Sequence, residues 1–271
     1  MKKPRHPAPA AALDTPALPW RWALAGALLG VLLVVLVGAP ARWLTAGLAR
    51  ASGGMVLLAE PQGSLWSGSA RLVLAGGVGS HDSTALPGRV HWRLAPAPLG
   101  LTARVTADCC TPQGPLALRV APRWGGARVS VADGQSLWPA ALLAGLGTPW
   151  NTVQPQGELA LATQGLAAEW LAGRLALSGG AELTARRLSS RLSTLRPLGS
   201  YRLRLRGGDA VGLELSTLEG GLLLSGSGQW VGARLRFRGE ARAAPGLEAP
   251  LANLLNIIGR RQGDRAIISL G

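Results

Sequence analysis

From Met55 onward, apolar and polar residues alternate in short runs divided by glycine, and this period of two sets what the chain can become. Tyr201–Arg206 reads YRLRLR and Arg234–Arg238 reads RLRFR, so each puts Leu or Phe on one face and three Arg on the other. Side chains on a strand alternate between faces, so one face of each such strand is buried and the other wet. Val90–Leu94, Leu101–Thr106, Leu116–Val120, Ala127–Val131, Gly157–Ala162 and Arg174–Leu177 follow the pattern, with a mixed strand around 71–74. Turn signals stand at Gly207-Gly208-Asp209, Gly220-Gly221 and Gly226-Ser227-Gly228. With 38 Gly and 19 Pro in 271 residues, long soluble helices are disfavoured. The expected fold is all-β, a mainly antiparallel curved sheet with one or two short helices, plus one N-terminal transmembrane helix. The second half repeats the style of the first. Whether about 55–150 and 151–271 are duplicated halves stays open, and the lack of a fixed short period argues against a solenoid.

Two stretches leave the period of two. Ser136-Leu137-Trp138-Pro139 predicts the start of a short helix running to about Gly145, with Ser136 or its neighbour as cap and Pro in the first turn. Leu251, Leu254, Leu255 and Ile258 recur at helical spacing, Gly259 stops the helix, and Arg265–Leu270 closes the chain as a strand.

Trp22–Ala39 carries no charge over 18 residues, about 27 Å as a helix and close to a bilayer core. Lys2, Lys3, Arg5 and Arg21 precede it against one acid, Asp14, which orients the N-terminus to the cytoplasm. Trp20, Trp22 and Trp43 stand where interfacial anchors belong. A cleaved signal peptide is the competing reading. The run is longer than a typical hydrophobic core of such peptides, and its best small-residue site, Val37-Gly38-Ala39, is followed by Pro40. The expected organisation is a cytoplasmic tail (1–21), a signal-anchor (22–39), a linker or helix extension (40–54) and a β-rich domain (55–271). That domain is exported: in a bacterium, an inner-membrane protein with a periplasmic body.

The chain has 28 basic and 14 acidic residues, net +14, and only Lys2 and Lys3 are lysines. Such charge draws nucleic acid, anionic lipid or acidic protein faces. No basic block, zinc pattern or RNP-like string favours nucleic acid, which is not expected as a partner. Cys109 and Cys110 are adjacent, which leaves two readings: a vicinal disulfide in an oxidising compartment, or two half-buried thiols beside the turn Thr111–Gly114. The three His (6, 81 and 91) share no ligand spacing with them, so no metal and no cofactor is expected. No P-loop, HExxH or G-x-S-x-G string occurs. His81-Asp82-Ser83 are neighbours and cannot form a triad among themselves. The chain does not read as an enzyme.

Five strings share a further likeness: GSLWSGSA (Gly63–Ala70), VHWRL (Val90–Leu94), LWPAALLAGLGTPWNTVQPQGEL (Leu137–Leu159), LSTLRPLGSYRL (Leu192–Leu203) and NLLNIIGRRQGDRAIISLG (Asn253–Gly271). Their order, behind one N-terminal anchor, resembles the type II secretion system protein N (GspN) family, the last string being the most specific. The resemblance implies a non-enzymatic accessory or assembly component, working by periplasmic contacts with other inner-membrane and periplasmic parts of that machine. A style similar to AsmA-like proteins gives the alternative, a lipid-binding or lipid-transfer role with a lipid as partner.

In the residues themselves, Gly259–Arg265 (GRRQGDR) is a candidate docking loop, with Arg260, Arg261 and Arg265 able to grip carboxylates and Asp264 among them. The bland alternative is a turn in which Asp264 pairs with a neighbouring Arg. Trp138 and Trp150 are candidate interface anchors, core packing being the commoner fate of Trp in such a domain.

Overall fold

The computed structural model describes residues 20–171, 174–232 and 234–271, with side chains described for all of these but 32, 36, 174 and 270. Apart from Trp20 and Arg21, the expected cytoplasmic tail lies outside them. The chain forms two units, Met1–Gly38 and Ala39–Gly271.

In the first unit, α1 (Trp20–Val37) is apolar in sequence apart from Arg21. It ends two residues before the expected boundary. Its uncharged part, Trp22–Val37, rises about 24 Å against a hydrocarbon core of about 30 Å. Among the described residues, no helix is long and apolar enough to cross a membrane.

The second unit opens with α2 (Arg42–Ala51) and then strands β1 (Val56–Gly63), β2 (Ser67–Ala75), β3 (Ser83–Ala85), β4 (Val90–Ala97), β5 (Gly100–Ala107), β6 (Leu116–Arg123), β7 (Gly126–Val131) and β8 (Gly134–Pro139). A 3-10 helix (Ala140–Leu146) and α3 (Trp150–Val153) follow. Next come β9 (Gln156–Leu171), β10 (Arg174–Ser189), β11 (Gly199–Arg206), β12 (Gly212–Gly220), β13 (Leu222–Val231) and β14 (Arg234–Ala243). The chain ends with α4 (Glu248–Ile258), β15 (Arg260–Gln262) and β16 (Arg265–Leu270). The sixteen strands make one sheet in the order β1-β2-β4-β5-β6-β7-β9-β10-β11-β12-β13-β14-β16-β15, with β3 on β2 and β8 on β9. Every pairing is antiparallel.

Each alternating run of the sequence falls in a strand, and its apolar positions share one face. The 3-10 helix covers that face at Leu86, Val90, Ala107 and Cys110. Farther along the sheet, α4 lays Leu251, Leu254 and Leu255 among Ala185, Leu198, Tyr201, Leu222, Ala241 and Ala266. Burial of this kind is the main favourable contribution to the fold. Tyr201 is buried with its phenol donating to the Leu222 carbonyl at 3.0 Å, and burial pushes its titration above the ordinary phenol range.

Near α2 the face closes over Ala41, Ala70 and Trp92. Here the GSLWSGSA string has a physical meaning. It is the β1–β2 hairpin, and the Trp92 ring occupies the space a Cβ at Gly68 would fill. The Trp92 indole N–H donates to the carbonyls of Ser64 and Leu65 at 3.3 and 3.1 Å. Ala39 and Pro40 join the same hairpin: Leu65 N–H donates to the Ala39 carbonyl at 2.7 Å, and Pro40 bridges to Ser64. Residues 40–54, read as a linker or helix extension, thus hold a helix packed on the sheet.

Two expectations are corrected. Ser136–Pro139 is strand, not helix: β7 pairs only with the last residues of β9, and β8 takes the free edge at Glu158–Thr163. Ser136 is therefore no cap; it is buried and accepts the Trp138 indole N–H at 2.8 Å, and the helical turn begins only at Ala140. Gly226-Ser227-Gly228 is no turn but the middle of β13, paired with Phe237–Gly239. Gly226 is needed there because the Phe237 ring lies where its Cβ would be.

The register sets the β1–β2, β4–β5, β6–β7 and β9–β10 hairpins at one end of the sheet, here called the rim. The 3-10 helix and α3 lie toward the other end.

Leu254→Ala removes a side chain that is almost wholly enclosed and is expected to cost about 2–5 kcal/mol in urea unfolding. Val78→Ala, on an exposed loop, is expected to stay within about 0.5 kcal/mol.

Candidate functional site

The face opposite the core carries the arginines. With Tyr201, Leu203 and Leu205 turned to the core side, Arg202, Arg204 and Arg206 must project from the other, and β14 repeats this with Arg236 and Arg238. Between them β12 and β13 place Glu214, Ser216, Ser225 and Ser227. All of these but Arg202 line an open concavity of about 1480 Å³ that reaches β15 and β16.

Acids answer only part of this charge. Glu182 receives the Arg204 guanidinium at 2.8 Å and stands 3.1 Å from Arg202, the latter an ion pair without hydrogen-bond alignment. Arg206 lies 3.9 Å from Glu214, and Arg265 lies 3.4 Å from Glu240. The hydrogen bond from Arg204 holds the Glu182 carboxyl below its ordinary value; partial desolvation opposes this, and the charge of Arg202 adds to it. Arg236 and Arg238 have no ion pair among the described residues.

A smaller concavity of about 550 Å³ lies on the polar face near Trp92, lined by Ser67, Ser69, His91, Arg93, Arg104 and Thr106. Arg93 and Arg104 are direct cross-strand partners, an unfavourable pairing of like charges. Both concavities suit anionic groups better than an acyl chain.

The expected docking loop is a β-hairpin at the edge of the sheet. Arg260 and Arg261 lie on β15, Gly263 takes positive φ in the turn, and Arg265 opens β16. Arg261 donates to the Gly263 carbonyl at 3.1 Å and to Asn256 at 3.3 Å, tying the hairpin to α4. Asp264 makes no ion pair among the described residues; Arg265 reaches Glu240 of β14 instead. The hairpin borders the larger concavity through Arg260 and Gln262. Trp138 is elsewhere, half-buried on β8 between two core clusters. Trp150 opens α3 and stays exposed. No hydrogen bond or ion pair among the described residues joins either Trp to the arginine hairpin. The sequence shows Arg236 and Arg238 only as part of an alternating strand; the register of β11 to β14 shows that they share a concavity with Arg204 and Arg206.

Cys109 and Cys110 are joined by a disulfide in the β5–β6 loop. Cys110 is buried in the cluster under the 3-10 helix, and its carbonyl accepts the Leu137 N–H at 2.8 Å. The bond lies against the inner packing rather than in either concavity.

One grouping resembles hydrolytic machinery. His91 faces Ser69 across the β2–β4 pair, and its Nε2 is 3.3 Å from Asp108. However, Ser69 Oγ accepts the Arg89 Nε–H at 3.1 Å, and both His91 and Asp108 are about half exposed. A nucleophile needs its base in hydrogen-bond reach, and no Ser69–His91 hydrogen bond stands among the described contacts. No group of three or more His, Cys, Asp or Glu placed to hold a metal ion occurs among the described residues.

A family model described as type II secretion system (T2SS), protein N, matches residues 55–268. No curated protein and no solved structure matches the chain.

The Glu182 cluster gives a pH dependence. A carboxyl held lower in the folded chain than in the unfolded one stabilises at neutral pH, and that contribution fades as pH falls below about 4.5 through the lowered value. Glu182→Gln is expected to flatten this acid limb in melting curves taken between pH 7 and 3. The difference should shrink in high salt, because the cluster is partly exposed.

Proposed function

The chain belongs to the type II secretion system protein N family, and from that premise we propose an accessory, non-catalytic part of the machine, held in the inner membrane by α1 and acting through periplasmic contacts. Membership in itself makes it a type II secretion component that works with other components of the system. The family match covers the sheet body and not α1, so the anchor reading rests on Trp22–Val37 and its flanking charges. A span of about 24 Å is short, and Arg21 fits at its end only with its guanidinium turned toward the headgroups. The Lys and Arg ahead of it orient the N-terminus to the cytoplasm and the body to the periplasm.

The observation that carries the contact reading is the concavity in which Arg236 and Arg238 have no ion pair among the described residues. Exposed guanidinium groups in a concave site suit carboxylates of a partner's acidic segment. The AsmA-like alternative, in which a lipid is held, is favoured by one feature: the core face is uncovered toward the rim at Leu101, Val120, Trp170 and Leu175. Native mass spectrometry showing one stoichiometric lipid on the purified protein would support that alternative.

In a strain lacking the gene, the double variant Arg236→Ala/Arg238→Ala is expected to secrete exoproteins roughly tenfold less than wild type. That is the effect of losing about 1.4 kcal/mol of charge-assisted contact. His81→Asn/His91→Asn is expected to secrete normally; a null result there, with the protein present, would mark a catalytic role.

The full chain is expected to stay with membranes through an alkaline carbonate wash. Replacing Leu28, Leu29, Val34 and Val35 by Ser should release it; release of the wild-type chain would refute the anchor.

A further inference from the structure

We propose that the rim of the sheet body rests in the headgroup layer of the same membrane, with the hairpin tips as its contacts. The inference depends on the anchor reading above and goes beyond it to a second, separate membrane contact.

Connectivity is the first observation. The chain leaves α1 at Val37, and by Ala39 it is already fixed in the body, its carbonyl bonded to Leu65 in the β1–β2 tip. One residue, Gly38, lies between, and one residue spans at most about 3.6 Å. No linker holds the rim away from where the anchor emerges.

The tips supply the second. At the β4–β5 turn Leu99 is 85% exposed with positive φ, and at the β6–β7 turn Trp124 is fully exposed. Trp170 and Leu171 flank the β9–β10 turn, and Trp43 stands exposed at the start of α2, beside Pro40. From the β1–β2 tip to the β9–β10 tip are six strand spacings, about 29 Å. Isolated exposed apolar residues are ordinary, but large ones at successive tips of one edge are not. Trp in particular favours the boundary between water and lipid.

The third is the charge beside them. Arg42, Arg123 and Arg128 lie on the rim half of their elements and Arg119 at the middle of β6, against Glu60 and Glu169, the latter pairing with Arg123 at 3.5 Å. Arg119 also donates to the Pro98 carbonyl at 3.1 Å and so holds the Leu99 tip in place. An apolar edge backed by a surplus of Arg fits an anionic lipid surface rather than a second copy of the same basic edge.

The test uses the full chain in nanodiscs of phosphatidylcholine and phosphatidylglycerol, with ordinary or dibrominated acyl chains. Bromine quenches only nearby indoles. The emission lost in Trp124→Phe and in Trp170→Phe should be light that bromine quenches. The emission lost in Trp150→Phe, on α3 toward the opposite end, should be unquenched. Unquenched Trp124 and Trp170 overturn the proposal, including the case in which those indoles are shielded by a protein partner. Trp22→Phe reads the anchor separately. A quenched Trp22 with unquenched tips leaves the anchor standing and removes the rim contact; quenched tips on a chain that a carbonate wash releases would keep the rim contact and remove the anchor.

Discussion

The 16-residue strands β9 and β10 are the constraint on which the rest of the body depends. One edge of β9 serves two strands, β7 toward the rim and β8 toward the helical end, while the far edge of β10 begins the run to β15. Because side chains alternate without interruption along a strand, an insertion between the two segments would send the core face of one half to the solvent side of the other. The β9–β10 register shifts between Ser178 and Gly180, opposite Gln164–Leu166, and this bulge keeps Leu166, Ala168 and Trp170 on the face that holds Leu159, Leu161 and Thr163. The two halves therefore share one apolar face, and helices from three places in the sequence can cover it.

That sharing explains what the sequence could and could not reveal. Alternation within a strand is local, so YRLRLR and RLRFR announce their own faces, and Leu251–Ile258 announces a helix by its spacing. What alternation does not carry is which strand lies next to which. β8 reads as a helix start because Ser, Trp and Pro in succession imitate a cap, and its strand state comes from an open edge on β9, about twenty residues farther along. Gly226-Ser227-Gly228 reads as a turn because glycine is the commonest turn residue. Its place inside β13 depends on Phe237, brought opposite by the β13–β14 pairing.

The candidate site was legible to the same degree. Arg260, Arg261 and Arg265 were readable as a basic loop, yet the structure spends two of them on local bonds, Arg261 on Asn256 and Gly263 and Arg265 on Glu240. Arg236 and Arg238, which have no ion pair among the described residues, lie on an ordinary-looking strand. A charge becomes available for binding only when the acids near it in space are already engaged, and spacing along a chain does not contain that information. Glu182 shows the converse: two guanidiniums from β11 converge on it, so it has little left to offer those across the concavity.

The two sides of the sheet thus divide two physical tasks. The apolar side must exclude water, and α2, the 3-10 helix and α4 achieve this except toward the rim. The polar side must stay hydrated or meet charged groups, and its surplus of Arg over acid makes anionic partners favourable.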